Sequence, residues 1–280
     1  MAGLVLNTNI ASLESQNSLR QTNSEMTDLM IAMSTGKSIN SASDDAAGLA
    51  IVNEMSRLIA GTEQGIDNAN QALDLVATAE GAMDQIYDNL IRMEELAVQS
   101  ANGTYSDEQR ELMQLEMDEL AAETQRIVDG TQFNGTKILS GGYSATMQIG
   151  ADNSAANQIT VTIPDMASLN VLSGNGVGGA IGFDISTQGA AQSALTMIKE
   201  DILTVSQGLA SLGAQTNRLE SAVNVQTSYS LSMQNSRSTI EDLDYAEASS
   251  DMAMLSVKYQ AGLSSLVQAN ALPQGILTLL

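Results

Sequence analysis

Residues 240–280 read IEDLDYAEASSDMAMLSVKYQAGLSSLVQANALPQGILTLL. Within this stretch Ala248, Met252, Leu255, Tyr259, Gly262 and Leu266 recur at alternating intervals of four and three, the stagger of a coiled-coil seam. Leu263 and Val267 begin a second stripe beside it. A helix with two apolar stripes has nothing within itself to cover them. The first forty residues offer a candidate partner stripe in Leu6, Ile10, Leu13, Leu19, Met26, Met30 and Met33. The two ends are therefore expected to pair, and the paired ends to pack against other copies. That is the pattern of an assembly protein rather than a catalyst.

The chain between the ends repeats this theme. Gly36 is placed to end the first helix. Ser43 or Asp44 can cap the next one, expected from about Asp44 to Ala101, with Leu73, Val76, Met83, Leu90, Met93 and Ala97 on its apolar face. Gly61, Gly65 and Gly81 weaken that helix but suit close approach of another. Ser106 to Gln109 spells a capping box for a third helix ending near Asp129-Gly130. The period then changes from helical to alternating. Tyr143, Ala145, Met147 and Ile149, then Ile159, Val161 and Ile163, predict two strands, and residues 173–182 a Gly-rich loop. After Thr187 the positions Leu195, Ile198, Ile202, Val205, Leu209, Leu212, Leu219 and Val223 keep one seam. A helix from there to about Arg237 would be on the order of 75 Å long. The expected fold is mainly α: an elongated antiparallel helical rod or coiled coil, with paired terminal helices and a small β-hairpin element near the chain centre.

Composition fits long thin packing. Of 280 residues 43% are hydrophobic but only 3% aromatic, and there are 15 Met. Narrow helical seams are filled by Ala, Leu and Met rather than by rings. The formal net charge is -22, which argues against a nucleic-acid partner, since phosphate binding needs clustered Lys and Arg. Such subunits repel one another at low salt, so polymerisation would rest on apolar contact. Without Cys there is no disulfide scaffold, and without His the commonest general base and transition-metal ligand are missing. Asp44-Asp45 reads as a helix cap rather than a divalent-ion site, because no further oxygen ligands are spaced for a loop. Glu94-Glu95 point to different helix faces and make no acid/base pair. No enzyme activity, cofactor or metal is expected. No secretory signal peptide and no bilayer-length apolar run is read.

Several separate runs carry a resemblance. They are Leu6-Asn7-Thr8-Asn9, Ser38 to Ile51 (SINSASDDAAGLAI), Asp67-Asn68-Ala69-Asn70, Glu80-Gly81-Ala82-Met83, Leu96 to Gly103 (LAVQSANG), Thr131 to Gly135 (TQFNG), Ile240 to Ala246 (IEDLDYA) and Gln268-Ala269-Asn270. In this order, and at both ends, the chain resembles the bacterial flagellins. The resemblance implies three parts: paired terminal helices at 1–43 and 238–280 forming an inner tube, a helical outer-tube domain at 44–140 and 187–237, and a small β/loop element at 141–186 on the outer face. It implies a structural subunit of the extracellular flagellar filament, exported without a cleaved signal peptide and serving swimming motility. Implied partners are other copies, filament cap and hook-junction proteins, and an export chaperone on the C-terminal helix. A hook–filament junction or adaptor protein is the alternative. It is disfavoured because the full Asp44 to Ile51 run stands here together with the Gln-Ala-Asn tail.

The implied polymerisation residues are Leu6, Ile10, Leu13, Leu19, Met26, Met30, Met33, Met252, Leu255, Tyr259, Leu263 and Leu266. Some flagellins also engage a Toll-like receptor of innate immunity. Arg92, Leu96 and Glu116 match that site, whereas Ile91 and Glu94 depart from it, and Arg92 with Glu116 could equally be a surface ion pair. Hydroxyls are dense near the expected outer element. O-glycosylation would fall on Ser144, Ser154, Thr160, Thr162, Ser168, Ser173 or Ser186, which otherwise read as polar turn and strand residues.

Overall fold

The computed structural model describes residues 8–277, and their side chains as far as residue 271. Its long helices are α1 (Ile10–Thr35), α2 (Ala46–Ser100), α3 (Asp107–Gly130), α4 (Gln188–Glu241) and α5 (Tyr245–Leu277). Between α3 and α4 lie two antiparallel hairpins, β1 (Gln132–Phe133) with β2 (Thr136–Lys137) and β3 (Tyr143–Gln148) with β4 (Gln158–Ile163). The described residues form two compact units. One is made by residues up to Arg57 with those from Ser232 onward, the other by Leu58–Leu231.

Local chemistry sets the helix ends. Ser106 and Gln109 make the capping box at α3, each side chain bonded to the other's backbone N–H. Asp244 Oδ1 accepts the N–H groups of Ala246 and Glu247 at α5, and Thr187 Oγ1 that of Ala190 at α4. The cap of α2 is Asp45, not Ser43 or Asp44: its Oδ1 accepts Ala47 and Gly48 N–H at 2.9 Å each. Asp44 instead closes the preceding bend, with Oδ2 accepting Asn40 N–H at 3.0 Å and Ser41 N–H at 2.8 Å. The Asn134-Gly135 turn joins β1 to β2 with φ of 49° and 79°, the paired left-handed geometry of a tight hairpin.

The second unit holds the continuous core. Leu75, Met83, Ile86, Leu90 and Met93 of α2 meet Met117 and Val128 of α3 and Ile198, Val205, Leu212 and Leu219 of α4. Methionine and aliphatic side chains do most of the filling. From the β region, Ile159, Val161 and Ile163 point into this core while Thr160 and Thr162 face out.

The irregular segment after β4 also sends side chains into this core. Met166, Leu169, Val171, Phe183 and Ile185 are at most 2% exposed. Residues 141–186 thus share the core of the second unit. Side chains from the helices satisfy the irregular backbone, as burial requires. Gln114 accepts Ile185 N–H at 2.7 Å and donates to Phe183 C=O at 2.9 Å. Gln215 does the same for both polar groups of Thr162, at 2.8 and 2.9 Å. Asp201, 2% exposed, accepts from Asn170 N–H at 2.8 Å, Asn170 Nδ2 at 3.0 Å and Val171 N–H at 2.9 Å. Burial pushes its carboxyl above the usual value, against the lowering by those bonds. Arg110, 4% exposed, closes the α2–α3 connection by donating to Asn102 C=O at 3.0 Å and Tyr105 C=O at 3.2 Å.

Gly61 and Gly65 admit the turn after β3 rather than another helix. A Cβ on Gly65 would lie 2.4 Å from Ile149 O and 2.6 Å from its carbonyl carbon, and one on Gly61 2.6 Å from Ala151 Cβ. Gly81 has nothing near it, so close approach does not explain it. Gly65→Ala forces a backbone group to move. The expected loss is about 1–3 kcal/mol, as for overpacking elsewhere, read as a lowered denaturant midpoint, whereas Gly81→Ala stabilises by up to about 1 kcal/mol from helix propensity.

Candidate assembly surface

The first unit is built on an antiparallel pairing of α1 with α5. Asn9 Nδ2 donates to Ala269 O at 2.8 Å at one end, and Tyr245 Oη to Met33 O at 2.8 Å at the other. Between them Leu19 packs into the space left by Gly262, where a Cβ would stand 2.9 Å from Leu19 Cδ2. On α5 the covered stripe is Ala248, Met252, Leu255, Tyr259, Gly262, Leu266 and Ala269, each buried or half-buried. On α1 it is Ser12, Ser15, Leu19, Thr22, Met26, Leu29, Ala32 and Met33.

Not every residue expected on the seam lies there. Leu19, Met26 and Met33 are half-buried on the pairing face. Ile10, Leu13 and Met30 are 58%, 52% and 49% exposed, and Leu6 lies outside the described residues. The true α1 stripe is phased through Ser12, Ser15 and Thr22, so its polar members hid it behind the more apolar Ile10 and Leu13. Met252, Leu255, Tyr259 and Leu266 stand on the seam of α5, while Leu263 remains 42% exposed. With Val257 at 66% and Val267 at 70%, it leaves apolar surface on the outer faces of the pair. Burying such side chains yields roughly 25 cal/mol per Å².

Polar contacts lock the connections at one end of the pair. Gly36 closes α1 with φ 73° and its N–H on Ala32 O at 2.9 Å. Its own carbonyl accepts Leu243 N–H at 3.0 Å. Lys37 pairs with Glu241 and bridges Asp242 as an isolated antiparallel pair. Ser38 N–H donates to Glu241 O at 2.6 Å. Residues 36–38 therefore hold residues 241–243 by backbone bonds.

Elsewhere, Arg92 lies between Glu95 and Glu116, with Nη1 2.8 Å from Glu95 Oε2 and Nε 2.8 Å from Glu116 Oε1. These bonds hold its pKa above the usual value, Glu95 first. Leu96 is 2% exposed and belongs to the core. The expected receptor triad therefore does not present Leu96 to a partner; the core contacts of α2 claim it. Of the hydroxyls, Ser144, Ser154, Thr160, Thr162, Ser168 and Ser173 are exposed, and Ser186 is half-buried with its hydroxyl on Asp184 at 2.7 Å. Among the described residues no helix is long and apolar enough to cross a membrane.

The N-terminal helical region of bacterial flagellin matches residues 6–146, and the C-terminal helical region of bacterial flagellin residues 195–280. The chain belongs to the flagellin family. It is 35% identical to a flagellin of Listeria monocytogenes over 277 residues, covering 96% of each chain. It is likewise 35% identical to a flagellar filament core protein of Brachyspira hyodysenteriae, over 99% of this chain and 100% of that one. A crystal structure of Bacillus cereus flagellin aligns with TM-score 0.49 at 26% identity, over 57% of this chain and 88% of that one. Flagellins are structural proteins rather than enzymes, and the helix pair is where the two family regions of this chain meet.

The bend at Asp44 gives a pH signature. Hydrogen bonds from Ser41 N–H, then Asn40 N–H, hold its carboxyl below the usual value. A lowered folded-state value stabilises above the unfolded value and is lost as pH falls through the lowered one. Asp44→Asn is therefore expected to melt below the wild type at neutral pH. The gap should close as pH drops through and below the ordinary carboxylate range, as thermal scans by circular dichroism would record.

Proposed function

We propose that this flagellin is a structural subunit that polymerises through its paired terminal helices into the extracellular flagellar filament and so serves swimming motility. The observation that carries the reading is the helix pair itself: it closes one apolar seam within the chain and leaves Leu263, Val267, Val257, Ile10, Leu13 and Met30 uncovered. Full-length similarity to flagellins and to a filament core protein supports it. A junction or adaptor role is the weaker alternative, because those relatives are filament proteins along their whole length.

Physical chemistry also supports finer parts of the reading. Uncovered apolar stripes on α5 aggregate unless masked before assembly, which fits an export chaperone on Tyr245 onward. Cap and hook-junction proteins would meet the same helix pair at the ends of a filament. The outward hydroxyls of Ser144 and Thr162 on the β3–β4 hairpin are accessible positions for O-linked sugar.

The test uses the full chain. Val257→Glu with Val267→Glu changes only exposed positions, so melting is expected to shift by no more than about 0.5 kcal/mol in stability terms. Electron microscopy should show filaments from the wild type and none from the variant. Wild-type yield should rise from low to moderate salt, because screening relieves the repulsion between subunits of net charge -22. Filaments from the variant at wild-type yield would remove the outer faces of the helix pair from the assembly surface.

A further inference from the structure

The second unit carries two exposed features that complement each other. The first is a stripe on α3, where Glu108, Leu112, Leu115 and Glu119 fall four, three and four residues apart and so share one face. Leu112 is 68% and Leu115 63% exposed, an apolar knob set between carboxylates. Glu111 flanks it, and neither Glu111 nor Glu119 has a hydrogen-bond or ion-pair partner among the described residues.

The second is a groove of about 440 Å³ between the end of the β3–β4 hairpin and α4. Ala222 and Val225 line it with the nearly buried Ile149 and Ile159 and with Gln158, Gln226 and Arg218. Val225 is 66% exposed. Arg92, Arg110, Arg126 and Lys137 of this unit are all engaged in ion pairs. Lys199 and Arg218 have no such partner among the described residues, and of the two Arg218 borders the groove. In so acidic a chain, an unpaired guanidinium beside apolar walls marks a place for an apolar group that brings carboxylates with it. The knob on α3 is such a group. Both features belong to the same compact unit and both are open to solvent, so the knob of one copy is left to meet the groove of another.

We propose that the Leu112–Leu115 knob of one subunit seats in the Ile149–Val225 groove of the next, with Glu111 and Glu119 against Arg218. This rests on the reading that the chain polymerises. Because knob and groove are different patches, the contact is heterologous. A heterologous contact that does not close into a ring repeats without limit, which a filament requires. The charge pairs fix orientation and register, while the leucines supply the apolar burial.

The chain contains no cysteine, so an introduced pair reports on one contact alone. Leu115→Cys with Val225→Cys in the full-length protein, assembled and then oxidised, is expected to give a ladder of covalent oligomers on a non-reducing denaturing gel. Either single variant should give monomer. A double variant that forms filaments by electron microscopy yet stays monomeric on the gel overturns the proposal and leaves the assembly reading standing. Cross-linked dimers from a single variant overturn it in favour of a self-paired contact. If the wild type forms no filaments, the assembly reading fails and the proposal fails with it. Independently of cysteine, Arg218→Glu is expected to raise the critical concentration roughly tenfold, and adding Glu111→Arg and Glu119→Arg should bring it back. An unchanged critical concentration in Arg218→Glu, or no recovery in the triple variant, overturns the charge register.

Discussion

The seam between α1 and α5 is the constraint on which the first unit depends. It joins residues that stand about as far apart along the chain as two residues can, as the bond from Asn9 to Ala269 shows. Neither helix can bury its stripe alone. On α1 the stripe is too polar, with Ser12, Ser15 and Thr22 among its members. On α5 it is interrupted by Gly262, which fits only because Leu19 fills the gap. Each helix supplies what the other lacks, and what neither can cover is left facing outward. The pairing therefore creates the assembly surface as it forms.

The second unit solves a different problem. Its β region and the segment after it are too irregular to satisfy their own backbone, yet too apolar to lie in water. The helices answer with amide and carboxylate side chains placed against single residues. Gln114 serves Phe183 and Ile185, Gln215 serves Thr162, and Asp201 serves Asn170 and Val171. Each behaves as a short length of neighbouring strand. An unpaired buried amide costs on the order of 1–3 kcal/mol, so these few side chains decide whether the segment can stay in the core.

Regular features of this architecture were legible in the sequence. The seam of α4, the capping box at Ser106, the stripe of α5 and the alternation of β4 all obey a fixed period, and a period survives in one dimension. What escaped lacks one. Phe183 and Ile185 sit in a Gly-rich neighbourhood that reads as surface loop. Nothing in the spacing of Gln114, Asp201 or Gln215 tells them from other polar residues on a helix, because their partners lie tens of residues away. The face of α1 turned toward α5 is hidden for a related reason. Ile10, Leu13 and Met30 are the more hydrophobic residues, but burial follows geometry, and the face turned toward α5 carries serine and threonine. Cap identity failed by one residue, since Asp44 and Asp45 are chemically alike and only the bend at Asn40-Ser41 assigns them different work.

The discontinuity of the first unit also has a consequence for order in time. Residues 58–231 form a contiguous stretch with their own core, so every contact they need is available once that stretch has emerged. The first unit cannot close until α5 exists. As the chain is made, the helix pair can close only after the stretch 58–231 is complete. A chain built this way can finish its body before its adhesive ends can pair. The property that permits polymerisation is the one acquired latest.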